Sequence, residues 1–167
     1  LSSFQPWEDE IGFVFEDPLE ILRWRGSALK RMQFVDQANL ADVILCSYDT
    51  AVRDVDNLIR FLRNHDVFLV LDESHYIKNR DSARANAMQK LAPYATKRWI
   101  MTGTPAPYSL QDLWPQFQFL WPAAIEQLLG HEQNFLSTVD SDNARPEVRA
   151  KLAPFFHRTT QRDLGLH

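Results

Sequence analysis

Short apolar strands alternate with helical segments between residues 19 and 121, and this alternation limits the possible folds more than any other feature. Four runs have strand character: residues 19–24, 43–46, 67–71 and 98–101. The third run is continuously apolar, as in parallel strands that are covered on both faces. The order of the segments therefore predicts an α/β fold, in which a parallel sheet with right-handed crossovers carries helices on both faces.

The composition is that of a globular chain and excludes several classes of protein. The 167 residues are 45% hydrophobic, and the formal net charge of −4 argues against a domain that binds nucleic acid through a dominant basic surface. Cys46 is the only cysteine, which excludes an internal disulfide and a Cys-rich zinc site. The apolar run at 67–71 is far shorter than the ~20 residues of a membrane span.

The five glycines stand far apart in the sequence: Gly12, Gly26, Gly103, Gly130 and Gly165. Phosphate loops and dinucleotide-binding turns need neighbouring glycines, because the backbone N–H groups must come close to a phosphate. The spacing excludes both motifs within these residues. The sequence begins at Leu1, and we expect it to be a piece of a longer protein.

Three of the predicted strands run directly into polar clusters. The run at 67–71 leads to Asp72, Glu73 and His75; the other two lead to residues 102–104 and 47–49. Ligands of open parallel sheets bind at the carboxyl ends of strands, so the clusters form one candidate site. A strand followed by Asp-Glu has the form of a Walker B element. In such an element the Asp holds Mg²⁺, usually through water, and the Glu orients or deprotonates the attacking water.

The same residues also allow simpler interpretations. Asp72 and Glu73 alone could form an ordinary acidic turn after a strand. His75 has no second histidine at helical spacing, which argues against a metal ligand. Ser74 and His75 could suggest a hydrolase pair, but the G-x-S-x-G turn of such enzymes is absent.

Six elements in order resemble the Swi/Snf-type ATPases of helicase superfamily two, a DExH-box group. They are Trp7 with Glu10 and Ile11; Trp24-Arg25-Gly26 with Arg31; residues 42–48; residues 71–79; residues 101–105 with the helix that follows; and residues 154–158 with Asp163 and Leu164. The Asp-Glu-x-His motif alone is weak evidence for this resemblance. The ordered series of six elements is strong evidence and covers nearly the whole sequence.

The resemblance implies a RecA-like first lobe that is only partly present. Residues 1–121 would be the C-terminal portion of this lobe, without its P-loop part. Residues 122–153 would form a helical extension, and residues 154–167 would lead to the second lobe. Two places depart from the family pattern: residues 107–108 are Pro-Tyr where the family has Gln-Asn, and residues 158–161 replace Arg-Arg-x-Lys.

The resemblance also implies a role for each candidate residue. Asp72 would serve Mg²⁺ through water, Glu73 would activate the attacking water, and His75 would link motif II to the surface between the lobes. The family's motif III would be formed by Thr102, Gly103 and Thr104. It would couple the state of the bound nucleotide to the DNA. The face that tracks DNA would include Ser47, Tyr48 and Lys78. ATP and Mg²⁺ are the implied cofactors of the complete protein, and double-stranded DNA is its implied partner.

The function expected from the resemblance is that of a motor-domain fragment from an ATP-dependent double-stranded DNA translocase. Alone, the chain should be inactive, since it lacks the phosphate-binding loop and the second lobe. Two alternatives remain open: a non-catalytic RecA-like remnant that acts as a scaffold for other protein chains, and a strand-separating helicase. We expect an intracellular location without membrane attachment, cytoplasmic in a bacterium and nuclear in a eukaryote.

Overall fold

The computed structural model describes residues 4–37, 40–106, 109–141 and 144–157. Its strands are β1 (Ile21–Trp24), β2 (Val43–Cys46), β3 (Phe68–Leu71) and β4 (Lys97–Ile100). Its helices are α1 (Gln5–Val14), α2 (Ala28–Gln37), α3 (Tyr48–Arg53), α4 (Val55–Leu62), α5 (Ala83–Leu91), α6 (Leu113–Leu120), α7 (Ile125–Leu129), α8 (Glu132–Thr138) and α9 (Ala144–Leu152). The predicted α/β class is confirmed. None of the described helices is both long and apolar enough to cross a membrane.

The strands pair in parallel, but they form two ladders. In one, β1 pairs with β2, and Ile21 lies opposite Val43. In the other, β3 pairs with β4, and Phe68 lies opposite Lys97. No ladder joins β2 to β3 in the part of the chain that the structure describes, whereas the sequence predicted a single sheet. Both ladders instead pack on one apolar core.

Helices α3, α4 and α5 cover this core. The sequence predicts that Asp81 or Ser82 caps α5, and the cap is Ser82, whose Oγ accepts a hydrogen bond from the Ala85 N–H at 3.1 Å. Apolar spacing between residues 52 and 62 predicted one amphipathic segment, but Asp54 divides it into α3 and α4. The division follows from the buried partners of the Asp54 carboxylate, described below.

Helix α6 joins the core to the predicted helical extension. Six of its eight residues are buried, as expected for a helix that is apolar around most of its circumference. Phe119 packs in the main core, while Trp114 and Phe117 belong to a second cluster with residues of α7, α8 and α9. Helices α7 and α8 are separate because Gly130 adopts a φ of 83°, a conformation that glycine takes without steric cost.

A buried cluster of polar side chains connects the end of β1 to the junction of α3 and α4. The Trp24 Nε1–H donates to Asp54 Oδ2 at 2.8 Å, and Arg31 donates to both oxygens of the same carboxylate. Arg31 also donates to the Gly26 carbonyl, which is presented by a residue at φ 105°. Burial raises the pKa of Asp54, but the hydrogen bonds from Arg31 and Trp24 outweigh burial and hold that pKa below its ordinary value.

We expect Asp54→Asn to destabilise the fold at neutral pH, because it leaves the Arg31 guanidinium buried without a carboxylate. The folded-state pKa of Asp54 is lowered. Its contribution is therefore present above the unfolded-state pKa of about 3.9 and is lost as pH falls through the folded value. Urea unfolding from pH 7 into the acid range should show the difference between wild type and variant closing. Exposed Asp56→Asn is the control, and a difference for Asp54→Asn that does not change with pH would contradict this account.

Candidate functional site

The carboxyl ends of β3 and β4 stay in register beyond the last strand residues. The Met101 N–H donates to the Leu71 carbonyl at 2.9 Å, and the Ser74 N–H donates to the Met101 carbonyl at 2.8 Å. These two backbone hydrogen bonds extend the parallel pairing into the polar clusters. As a result, the residues after Leu71 lie beside the residues after Met101, as the sequence predicted for neighbouring strand ends.

Glu73, His75 and Thr102 form a triangle of contacts at this edge. The Thr102 hydroxyl donates to Glu73 Oε2 at 3.3 Å and lies 3.2 Å from His75 Nδ1. The same His75 nitrogen is 3.0 Å from Glu73 Oε2. The Glu73 side chain is 51% exposed, so a carboxylate held by two neighbours remains open to water. Such a group can orient a water molecule and accept its proton.

Asp72 lies beside the triangle with its carboxylate fixed at both oxygens. Oδ1 accepts a hydrogen bond from the Glu73 N–H at 2.9 Å, and Oδ2 accepts one from the Trp7 Nε1–H at 3.0 Å. Mg²⁺ keeps much of its water and takes only one or two protein carboxylates. An exposed, oriented Asp72 with Glu73 beside it therefore fits the protein contribution to a water-mediated Mg²⁺ site.

The backbone of Glu73 is strained. Its φ of 49° and ψ of 52° place it in the left-handed region, the one such non-glycine residue among those described. A non-glycine residue with this backbone conformation raises the free energy of the folded state by on the order of 1–3 kcal/mol. It persists where surrounding contacts fix the backbone. The Tyr48 hydroxyl supplies one of these contacts, since it donates to the Asp72 carbonyl at 2.9 Å.

Gln116 is a further residue of the site that the sequence analysis missed. It is fully buried on α6, and its Oε1 accepts a hydrogen bond from the Ser74 hydroxyl at 2.7 Å. Its Nε2 donates to the Pro105 carbonyl at 2.5 Å and to the Asp112 carbonyl at 2.8 Å. Gln116 thus ties the turn after β3 to the loop after β4. The available signal was weak, because Gln116 is one of two glutamines, with Gln118, in an otherwise apolar helix.

Trp7 is the second residue that was missed as part of the site. The sequence placed it on a helix near the start, and nothing in the sequence indicates a contact with a residue 65 positions away. Its indole is half-buried and reaches Asp72 across the strand ends. Its contact depends on the packing of α1, which no local pattern specifies.

The motif III residues fall on the loop that follows β4. The Thr104 N–H donates to the Thr102 hydroxyl at 3.1 Å, which links these two predicted residues directly. Gly103 is exposed, and a Cβ at this position would meet nothing within 4 Å. Backbone space therefore does not require glycine at 103, in contrast to Gly26 with its positive φ.

The three residues predicted on the DNA-facing side have different surroundings. The Ser47 hydroxyl caps α3, where it accepts from the Thr50 N–H at 3.2 Å and donates to Thr50 Oγ1 at 2.9 Å. Tyr48 reaches the Asp72 carbonyl and so belongs to the site. Lys78 is half-buried just after the 3₁₀ turn Ser74–Ile77, and its N–H donates to the His75 carbonyl at 3.2 Å. Both departures from the family pattern, residues 107–108 and 158–161, lie outside the described residues.

Comparisons with known proteins identify the family of this chain. The family model of the SNF2-related domain matches residues 1–167. The TATA-binding protein-associated factor BTAF1 of Arabidopsis thaliana is 38% identical over 117 residues, which is 70% of this chain and 5% of that protein. The TATA-binding protein-associated factor MOT1 of Saccharomyces cerevisiae is 35% identical over 129 residues, which is 77% of this chain and 6% of that protein. The chain therefore spans only a small part of the length of these relatives.

A solved structure matches the chain over nearly its full length. It is the Sulfolobus solfataricus SWI2/SNF2 ATPase core in complex with double-stranded DNA. The TM-score is 0.74 at 27% sequence identity, and the match covers 99% of this chain and 33% of that chain. The structure thus has the fold of part of a RecA-like SWI2/SNF2 core.

We expect Gln116→Leu to destabilise the fold by about 2–4 kcal/mol, because it leaves the Ser74 hydroxyl and the Pro105 carbonyl without their partner. Urea unfolding measures the change. Gln89→Leu is the matched control, since the half-buried Gln89 donates a hydrogen bond to the Pro115 carbonyl at 2.7 Å. Equal losses for the two variants would show that Gln116 has no special role in joining the two loops.

Proposed function

The chain belongs to the SNF2-related domain family, and from this premise we propose that it forms part of the motor domain of an ATP-dependent double-stranded DNA translocase. One observation carries the proposal: Glu73, His75 and Thr102 are in mutual contact where β3 and β4 end. Parallel sheets bind ligands at this edge. The DNA-bound state of the Sulfolobus core supports DNA as the partner.

In this proposal Asp72 and Glu73 divide the work on ATP. Asp72 would hold Mg²⁺ through water, with its carboxylate fixed by the Glu73 N–H and by Trp7. When bound, Mg²⁺ neutralises charge on the phosphate oxygens. Glu73 would orient the attacking water and accept its proton, while His75 and Thr102 hold Glu73 Oε2 in place. Positioning and charge neutralisation account for most of the acceleration in phosphoryl transfer.

Coupling to DNA would run through the loop after β4 and the start of α3. Thr102 touches Glu73 and His75, so a shift of Thr102, Gly103 and Thr104 changes the surroundings of the proposed catalytic carboxylate. His75 would connect this change to the surface that faces the second lobe. The DNA-tracking side would include Ser47, Tyr48 and Lys78. Contacts of Ser47 and Lys78 would be to the DNA backbone and therefore independent of sequence, while the Tyr48 hydroxyl is already bonded to the Asp72 carbonyl.

The division of the chain follows the same proposal. Residues 1–121 would be the C-terminal portion of the first lobe, residues 122–153 its helical extension, and residues 154–167 the segment toward the second lobe. ATP binding would need the P-loop and a second lobe, which are partners that the complete protein would supply. The proposed setting is inside the cell, without membrane attachment.

We expect Glu73→Gln in the full natural chain to abolish DNA-stimulated ATP hydrolysis while nucleotide binding is retained, because the amide cannot accept the proton from water. Phosphate release and nucleotide affinity are the two measurements. Glu126→Gln, at an exposed position of α7, is the control and should leave both unchanged. Retained hydrolysis would remove Glu73 from its proposed role, and an inactive wild type would favour the scaffold interpretation.

The isolated chain of 167 residues should release no phosphate from ATP with or without duplex DNA, since it lacks the phosphate-binding glycine loop. A phosphate-release assay at high protein concentration tests this. DNA-stimulated release that disappears on Glu73→Gln would overturn the expectation.

A further inference from the structure

The Tyr48 side chain bridges the carboxyl ends of β2 and β3. No backbone ladder joins these two strands within the described residues, but the Tyr48 hydroxyl donates to the Asp72 carbonyl at 2.9 Å. Tyr48 is the first residue of α3 and directly follows Ser47, the cap of that helix. We infer that Tyr48 is a positioning residue for Asp72 and Glu73, which transmits the placement of α3 to them. This inference rests on the proposed function.

The hydrogen bond acts on the peptide group at which the chain is strained. The Asp72 carbonyl belongs to the peptide that enters Glu73, and Glu73 is the left-handed residue at φ 49°. Such a conformation persists only where neighbouring contacts hold it. Removing the Tyr48 hydroxyl frees this carbonyl to turn, and the direction of the Glu73 side chain changes with its backbone.

The direction of this hydrogen bond is fixed by its partners. A carbonyl oxygen can only accept, so the Tyr48 hydroxyl is the donor to the Asp72 carbonyl.

A second set of contacts fixes the Tyr48 ring. Its ring meets the Tyr76 ring edge to face, with centroids 5.7 Å apart. The Arg84 guanidinium lies 5.2 Å from the Tyr76 centroid and donates to both oxygens of Asp49, at 2.8 and 3.1 Å. Since Asp49 follows Tyr48 on α3, these contacts connect α3 to the 3₁₀ turn after Glu73 by two routes, through Tyr48 directly and through Arg84.

The contacts of Tyr76, Arg84 and Asp49 contribute more to the orientation of Tyr48 than to the stability of the fold. Asp49 is exposed, and a solvent-exposed ion pair adds little to the free energy of folding. What the bidentate pair does provide is a fixed geometry between α3 and α5. Movement of α3 by a bound DNA backbone would therefore move the Asp72 carbonyl, and the effect should appear in kcat.

The test compares Tyr48→Phe with Tyr94→Phe in the full natural chain. Both variants remove one tyrosine hydroxyl with one hydrogen-bond partner, which for Tyr94 is the Arg63 guanidinium at 2.9 Å. We expect Tyr48→Phe to lower the DNA-stimulated kcat about three- to tenfold, as the loss of one hydrogen bond does. KM for ATP and the affinity for duplex DNA should stay unchanged, and Tyr94→Phe should match wild type.

Amide hydrogen exchange provides a readout that does not depend on activity. Residues 73–76 should exchange faster in Tyr48→Phe than in wild type or in Tyr94→Phe. A second variant, Arg84→Met, replaces the guanidinium with an unbranched apolar side chain and so removes the ion pair with Asp49. It should lower kcat in the same direction by a smaller factor.

Three results would overturn the inference. The first is an unchanged kcat for Tyr48→Phe in an active protein. The second is weaker DNA binding with full kcat at saturating DNA, which would make Tyr48 a DNA contact. The third is an equal loss of kcat in Tyr48→Phe and Tyr94→Phe. By contrast, a wild-type protein without DNA-stimulated hydrolysis overturns the proposed function itself.

Discussion

The parallel register between β3 and β4 determines the geometry of the candidate site. Leu71 lies opposite Ile100, and two further backbone bonds carry this register into the residues that follow. The position of the Thr102 hydroxyl relative to the Glu73 carboxylate is therefore a consequence of strand pairing. A slip of the register would separate Thr102 from both Glu73 and His75 without any change in the side chains.

Strand pairing alone does not hold the left-handed backbone at Glu73, and the surrounding contacts come from three directions. The Met101 carbonyl accepts from the Ser74 N–H, Tyr48 donates to the Asp72 carbonyl, and Gln116 accepts from the Ser74 hydroxyl. These groups belong to different elements: the end of β4, helix α3 and helix α6. The contacts that hold the strained backbone of Glu73 thus connect helices α3 and α6 to the acidic pair Asp72 and Glu73.

Sequence analysis predicted the parts of the molecule that depend on local pattern. The four strands lie within about two residues of their expected bounds, and Ser82 caps α5, where the sequence predicted a cap at Asp81 or Ser82. Glu73, His75 and Thr102 could be grouped because parallel strands end at the same edge of a sheet. The contacts of Trp7, Gln116 and Tyr48 could not be predicted, since each joins elements that are far apart in sequence. The missing ladder between β2 and β3 is likewise a property of tertiary packing.

The buried charge cluster and the candidate site are connected through the short helix α3. Ser47 caps its first turn, and at its other end the Asp54 N–H donates to the Thr50 carbonyl at 3.0 Å. The Asp54 side chain is in turn held by Trp24 and Arg31. A helix of six residues has little stability of its own, so its placement depends on these two ends. The ion pair at Asp54 therefore fixes where the Tyr48 hydroxyl meets the Asp72 carbonyl, and the stability of the β1 region becomes a condition for the geometry of the site.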